Sequence, residues 1–234
     1  MKAVFDHSEP IAHNIRTFYF QPEQPVQFTS GQYTRLTLDH KDPDDRGTRR
    51  WFTISASPTE ELLAITTKQT PDDGSSFKKA LFKLKPGTEV DLASPMGDFV
   101  LPKLIQTPLI FVAGGIGITP FRSMFRWLAD TGEQRDIKFI YGVRSEDEIV
   151  FQKEMDDAGV HATIVVSEPT PAWGGERGRL TAEMIVGLEK PSDDTLIYLS
   201  GPEPMIEALV DDLKKQGIPE DHLVTDFFPG YTAF

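Results

Sequence analysis

Apolar positions along this chain follow two successive patterns. Over the first hundred residues they fall in short runs rich in β-branched and aromatic side chains: "IRTFYF" (15–20), "QYTRLTL" (32–38), "RWFTIS" (50–55), "LLAITT" (62–67) and "EVDLAS" (89–94). Such side chains fit a pleated, half-buried surface, so each run predicts a strand. Turn-forming stretches separate them: "PEQP", "DHKDPDDRG", "SPTEE", "KPGT" and "SPMGD". Strands at that spacing predict a small antiparallel β-barrel or sandwich. One stretch departs from the pattern. In "SSFKKALFKL" (75–84) the apolar residues fall at 77, 80, 81 and 84, one face of a helix.

After "LPKLIQT" (101–107) the pattern changes. Apolar runs at 108–113, 137–143, 161–167, 195–200 and 222–228 predict strands. Segments at 121–130, 146–157, 181–187 and 203–216 predict helices between or after them. Alternating strand and helix implies a parallel sheet covered on both faces. The expected architecture has two domains: an antiparallel β-barrel over 1–102 and an α/β parallel-sheet domain over 103–234, with the boundary near 101–106.

Composition narrows the chemistry. There is no cysteine, which removes disulfides, thiolate catalysis and cysteine-ligated metal clusters. Redox work would therefore need a bound organic cofactor. The five histidines (7, 13, 40, 161, 222) are scattered, which argues against a metal site. No apolar run reaches the ~20 residues of a membrane span. The N-terminus lacks the apolar core of a signal peptide, so a cytoplasmic protein without membrane anchor is expected. The net charge of −12 is uneven: residues 1–102 carry 12 Lys and Arg against 14 Asp and Glu, residues 103–234 carry 12 against 22. That sign disfavours nucleic acid as a partner. Two basic clusters stand out in the first half: Arg46, Arg49, Arg50, and Lys78, Lys79, Lys83, Lys85.

Three motifs carry chemistry. In "FVAGGIGITPFRSM" (111–124) a buried strand runs into Gly114, Gly115 and Gly117, then Thr119-Pro120 opens a helix. Thr119 suits an N-cap and Pro120 the first helical position. Glycines let a diphosphate reach backbone N–H groups at the positive end of the helix dipole; the same residues would also serve a tight strand–helix turn with no ligand. In "RRWFTISASP" (49–58), alternation puts Arg50, Phe52 and Ile54 on one face and Trp51, Thr53 and Ser55 on the other. That arrangement fits a planar anionic cofactor or an ordinary barrel strand. In "LIYLSGPEPM" (196–205), Ser200 ends an apolar strand where ligands of open sheets gather. Ser200 and Glu203 also have the spacing of a capping box.

Taken together these motifs resemble the ferredoxin–NADP reductase-like family of flavoproteins, over nearly the whole chain and in the family's order. Arg50-Trp51-Phe52-Thr53 is similar to its R-x-[YF]-[ST] flavin motif. "SGQY" (30–33) and "SPMGDF" (94–99) resemble its barrel entry and close. Gly114 to Pro120 matches its G-G-x-G-x-T-P, and Ser200 to Met205 its C-G-P-x-x-M. The resemblance implies an FAD-binding barrel followed by an NAD(P)-binding domain, with hydride passing from NAD(P)H to the flavin. It implies that Arg50 pairs with the FAD diphosphate, Phe52 lies against the flavin and Thr53 places a hydroxyl near its N5. Trp51, Thr67, Gly74, Ser75 and Ser76 join that cofactor group. Gly114, Gly115, Gly117, Thr119, Arg144, Ser200, Gly201, Pro202 and Met205 form the nicotinamide nucleotide group, with Thr53 and Ser200 closest to the chemistry.

Two departures matter. The family's cysteine is Ser200 here, which can position but supplies no thiol. Ser167-Glu168 stands where NADP-preferring members show Ser-Arg, and a carboxylate there repels a 2′-phosphate. NADH is therefore favoured over NADPH, unless Arg144, Arg177 and Arg179 converge. The implied acceptor is a redox protein, ferredoxin or flavodoxin, or a small molecule. Free-flavin or ferric-chelate reduction, and a flavin-holding subunit of a larger complex, are the alternatives. The sequence leaves the oligomeric state open. The chain ends in "DFFPGYTAF", with four aromatics in the last eight residues; the resemblance implies that Phe228 or Tyr231 covers the flavin.

Overall fold

The computed structural model describes residues 1–69 and 74–228, Phe228 by its backbone alone. Its first sheet is built from β1 (Lys2–Ala12), β2 (Ile15–Pro22), β3 (Tyr33–Thr37), β4 (Arg49–Thr53), β5 (Leu63–Lys68) and β6 (Glu89–Leu92). All pairings are antiparallel, in the order β4-β3-β6-β1-β2-β5. The two edges meet: just past β4, the Ser55 N–H donates to Ala64 O of β5 at 2.8 Å. This closes the sheet into a barrel around Phe5, Phe18, Phe20, Leu36, Phe52 and Ile65. Helix α1 (Ser76–Leu81) plugs one end with Phe77 and Leu81, both fully buried.

The second sheet is parallel, ordered β10-β9-β8-β7-β11-β12. Its strands are β7 (Leu109–Gly114), β8 (Ile137–Val143), β9 (Ala162–Val166), β10 (Glu176–Arg177), β11 (Leu196–Pro202) and β12 (Leu223–Phe228). One face packs Phe111, Phe139 and Tyr141 against α2 (Thr119–Thr131) and α3 (Gln152–Asp157), and this cluster also takes in Ile15 of the barrel. The other face packs Val112, Ile140 and Leu199 against α4 (Ala182–Glu189) and α5 (Glu203–Lys215). A strand buried on both faces must be apolar at every position, as β7 is from Leu109 to Gly114.

Four local features differ from the sequence reading. The longest strand, β1, went unforeseen: Asp6, Glu9 and Pro10 interrupt its apolar pattern, and only Ala3 and Phe5 are buried. The short edge strand β10 was also unforeseen. The expected helix over 146–157 is cut by Phe151, which sits at φ 62° and ψ 27°, so only α3 remains after it. Neither expected cap forms. Thr119 lies inside α2, behind a 3-10 turn at 115–118, and its hydroxyl donates to Ile116 O at 3.0 Å. Ser200 still belongs to β11, and Pro202 holds the N-cap position of α5. Strand pairing carries the chain two residues past Ser200 before the helix can start.

Candidate functional site

The glycine loop and the Ser200 segment form one place. Gly115 has φ 52°, a left-handed conformation that glycine adopts without cost. A Cβ on Gly117 would lie 2.2 Å from Ser200 O, and one on Gly201 would lie 2.7 Å from Met205 Cε and 3.3 Å from Gly114 Cα. Backbone therefore packs on backbone here. The first turn of α2 has no side-chain cap; the Thr119 N–H donates to Ile116 O of the preceding 3-10 turn, Pro120 has no N–H, and the turn lies at the positive end of the helix dipole. The 3-10 turn of this loop also lies against β5 of the barrel and against β12.

Three buried oxygens on these elements have no hydrogen-bond partner among the described residues: Thr53 Oγ1, Ser200 Oγ and Asp226 Oδ2. Thr53 ends β4, and Ser200 pairs with Asp226 across β11 and β12. An orphaned buried polar atom costs about 1–3 kcal/mol, so the Ser200–Asp226 pair beside the glycine cradle and Thr53 at the end of β4 mark places for polar ligand atoms. Burial pushes the Asp226 carboxyl up to about 7. Sequence reasoning missed Asp226. Its only signal was an acid at an otherwise apolar strand end, directly before the aromatic tail.

Arg50 and α1 are joined through an unforeseen residue, Asp44. Its carboxylate accepts from the Ser76 N–H at 3.0 Å, the Arg46 N–H at 3.1 Å and Arg50 Nη2 at 2.9 Å. Burial opposes the charge, but the bonds from Ser76 and Arg46 and the Arg50 guanidinium hold Asp44 down at about 2. Arg50 Nη1 also donates to the carbonyls of Arg46, Gly47 and Arg49, and the guanidinium lies 5.3 Å above the Phe77 ring. Ser75 caps α1 by accepting from the Lys78 N–H. Phe52 faces the same side and packs 5.9 Å from Phe77. Thr67 is buried in β5, and Gly74 leads into the cap. Trp51 points to the opposite, outer face and is half exposed.

A cavity of about 530 Å³ opens at the ends of β8 and β9, between α4 and α5. Gly142, Ser167, Arg179, Leu180, Met205 and Asp212 help line it. The three arginines do not converge there. Arg144 pairs with Glu168 at 3.0 Å, Arg177 donates to the carbonyls of its own turn at 170, 171 and 173, and only Arg179 lines the cavity.

The two sheets are held in register beside this site by Arg122 of α2. Its Nη1 donates to Ser55 O at 3.0 Å, its Nη2 to Glu60 at 3.0 Å and its Nε to Glu154 at 3.2 Å. Phe151 lies 5.8 Å beneath the guanidinium, so the unusual backbone at 151 has a packing role. Ser123 Oγ donates to Ala56 O at 2.6 Å, and Lys68 pairs with Glu148. The segment just after Thr53 is thereby fastened to the helix that starts at Thr119.

The structure thus groups Gly114, Gly115, Gly117, Thr119, Ser200, Gly201, Pro202 and Met205 in one cradle, and Arg50, Phe52, Ser75 and Ser76 around α1. Phe228 continues β12 opposite Pro202; Tyr231 and the rest of the tail lie outside the described residues. No group of three or more His, Cys, Asp or Glu suited to a metal occurs among the described residues. No helix among them is long and apolar enough to cross a membrane.

Residues 111–211 match the family described as "Oxidoreductase NAD-binding domain". The chain is 30% identical over 226 residues to a glycine betaine monooxygenase reductase subunit of Chromohalobacter salexigens, covering 92% of this chain and 60% of that one. It is 28% identical to the reductase component of a propane 2-monooxygenase of Rhodococcus jostii, covering 94% and 61%. The chain therefore spans about 60% of the length of these curated relatives. In fold it superposes with TM-score 0.81 on a ferredoxin NADP+ reductase from Neisseria gonorrhoeae solved with FAD and NADP, at 15% identity over 97% of this chain and 98% of that one.

Proposed function

This chain belongs to the ferredoxin–NADP reductase-like family, and from that premise we propose that it is an FAD-dependent NAD(P)H oxidoreductase feeding electrons to a separate acceptor. The observation that carries this reading is the pair of orphaned oxygens of Ser200 and Asp226 on the strands beside the glycine cradle, with a third on Thr53 at the end of β4. They fit a flavin edge and a nicotinamide amide, whose polar atoms would satisfy them. When bound, FAD supplies hydride acceptance at N5 and release of electrons one at a time.

The residues then divide the work. Gly114 to Thr119 and the α2 N-terminus hold the nucleotide diphosphate. Gly201 and Gly117 let the glycine loop pack directly on the end of β11, which sets Ser200 in place to orient the nicotinamide. Thr53 donates or accepts at the flavin side. Asp226 holds a proton at Oδ2 below about pH 7. Arg50, organised by Asp44, and Ser75 and Ser76 hold the FAD diphosphate side, with Phe52 and Thr67 against the ring system and Phe228 or Tyr231 as its cover. Glu168, which follows Ser167 of the cavity lining in sequence, supports NADH over NADPH. Overall, one NAD(P)H is oxidised, two one-electron centres are reduced and one proton is released.

The relatives named as reductase subunits of monooxygenases support a protein acceptor, and ferredoxin or flavodoxin are the proposed kinds. We divide the chain into a cofactor barrel, 1–102, and an NAD(P) domain, 103–234; limited proteolysis near 101–107 tests that division. The function itself is tested by reconstituting the protein with FAD and following anaerobic bleaching of the flavin. NADH should reduce it faster than NADPH. A flavin that binds but is reduced by neither would overturn the reading.

A further inference from the structure

The outer face of the barrel beside the candidate site carries an aromatic patch that the chemistry above does not use. Trp51 is 51% exposed and Met96 is 39% exposed. The Tyr33 ring meets Trp51 edge-on, at 5.4 Å and 89°, and the Arg35 guanidinium lies 5.3 Å over the Trp51 ring. Tyr33 also bridges to Met96. Cross-strand register sets the order: Tyr33 faces Thr53, Arg35 faces Trp51 and Thr37 faces Arg49. Tyr33, Arg35, Arg49 and Trp51 thus share one surface of β3 and β4. Exposed aromatics, Met and Arg gathered on a preordered patch are the composition of interface centres.

Charge says what kind of partner fits. Among the described residues, neither Arg35 nor Arg49 makes an ion pair, and Arg35 Nε is buried with no hydrogen-bond partner. Arg46 and Arg50, by contrast, are paired with Asp44, and Asp91, opposite Thr37, is paired with Lys2; the exposed Asp98 follows Gly97 at the Tyr33–Met96 end of the patch. The patch therefore keeps two uncompensated cations in a chain of net charge −12, most of whose excess acid lies beyond residue 102. An acidic partner is attracted to this face and repelled by the second half of the chain. The patch shares β4 with Arg50, Phe52 and Thr53, the residues proposed to hold the flavin.

Resting on the oxidoreductase reading, we propose that the β3–β4 face, anchored by Trp51 and flanked by Arg35 and Arg49, docks an acidic electron-accepting protein. This places the docking cations on β3 and β4 and leaves out the lysines of α1, of which Lys78 already donates to Lys68 O at 3.1 Å.

The test uses the FAD-loaded full chain, NADH, and two acceptors: a purified acidic [2Fe–2S] ferredoxin and ferricyanide. Trp51→Ala and the double variant Arg35→Gln/Arg49→Glu should each raise KM for ferredoxin by about tenfold at low salt. The arginine variant should leave ferricyanide reduction and flavin reduction by NADH unchanged, and its defect should shrink as salt rises. An unchanged ferredoxin KM in both variants overturns the proposal, as does wild-type protein that reduces ferricyanide but not ferredoxin. Loss of FAD from Trp51→Ala would return Trp51 to the cofactor wall and also overturn it. A concentration-dependent dimer that the arginine variant abolishes would make the occupant a second copy of this chain, again against the proposal. Failure of NADH to reduce the flavin in wild type would instead remove the oxidoreductase reading itself.

Discussion

At the scale of single residues, Asp226 makes the clearest prediction. Its folded value of about 7 lies above the ordinary carboxylate value of 3.8 because burial disfavours the charge. Between those two values the unfolded chain has released the proton and the folded chain still holds it. Stability of the cofactor-free protein should therefore fall as pH rises from about 4 to 7 and level off above that. The total change is at most about 4 kcal/mol. Asp226→Asn should erase this slope, gaining stability over the parent at pH 8 and little at pH 4. Urea unfolding at the two pH values checks it, and parallel curves for parent and variant would refute it. Asp44 has the opposite sign: its depressed value contributes stability above the ordinary carboxylate range that is lost as pH falls towards 2.

At the scale of elements, the glycine loop between β7 and α2 is defined by close backbone approach. Gly117→Ala puts a methyl 2.2 Å from Ser200 O, and neither backbone can yield without disturbing β11. We expect a loss of about 1–3 kcal/mol of stability together with weaker NADH binding, read by calorimetry and nucleotide titration. Wild-type values on both would show the loop has slack that the geometry denies. The motif reading placed this loop correctly between strand and helix; the structure adds that Gly117 packs against Ser200 and Gly201. The motif reading misjudged the caps, because a cap depends on where strand pairing releases the chain, and spacing alone does not report that.

At the scale of the whole molecule, the barrel and the parallel sheet are tied by a buried cation. Arg122 stays charged despite burial because Glu60 and Glu154 flank it. Arg122→Ala should cost about 3–5 kcal/mol by stranding those carboxylates. On the same helix, Arg126, whose pairs with Asp130 and Asp157 are more exposed, should cost under about 1 kcal/mol when changed to Ala. Comparable urea midpoints for the two variants would contradict the role assigned to Arg122. The larger loss should be accompanied by slower flavin reduction, since Ser55 and Ala56, which α2 holds, lie two and three residues after Thr53.

Local pattern determined much of this protein. Period-2 and continuous apolar runs located ten of the twelve strands among the described residues, and the glycine and Ser-Gly-Pro motifs located the segments of the cradle, because those signals are carried by residues close together in sequence. Tertiary structure alone decided the rest. β1 owes its place to partners at residues 15–22 and 89–91, not to its own propensity. Phe151 combines a left-handed backbone with a ring placed 5.8 Å from the Arg122 guanidinium, 29 residues earlier in the chain. Asp44 reaches Arg50 and Ser76, 32 residues apart from the latter, only once the barrel closes. Asp226 becomes a site residue only when β12 pairs with β11 and places it opposite Ser200, since a carboxylate's proton affinity is set by what surrounds it in space.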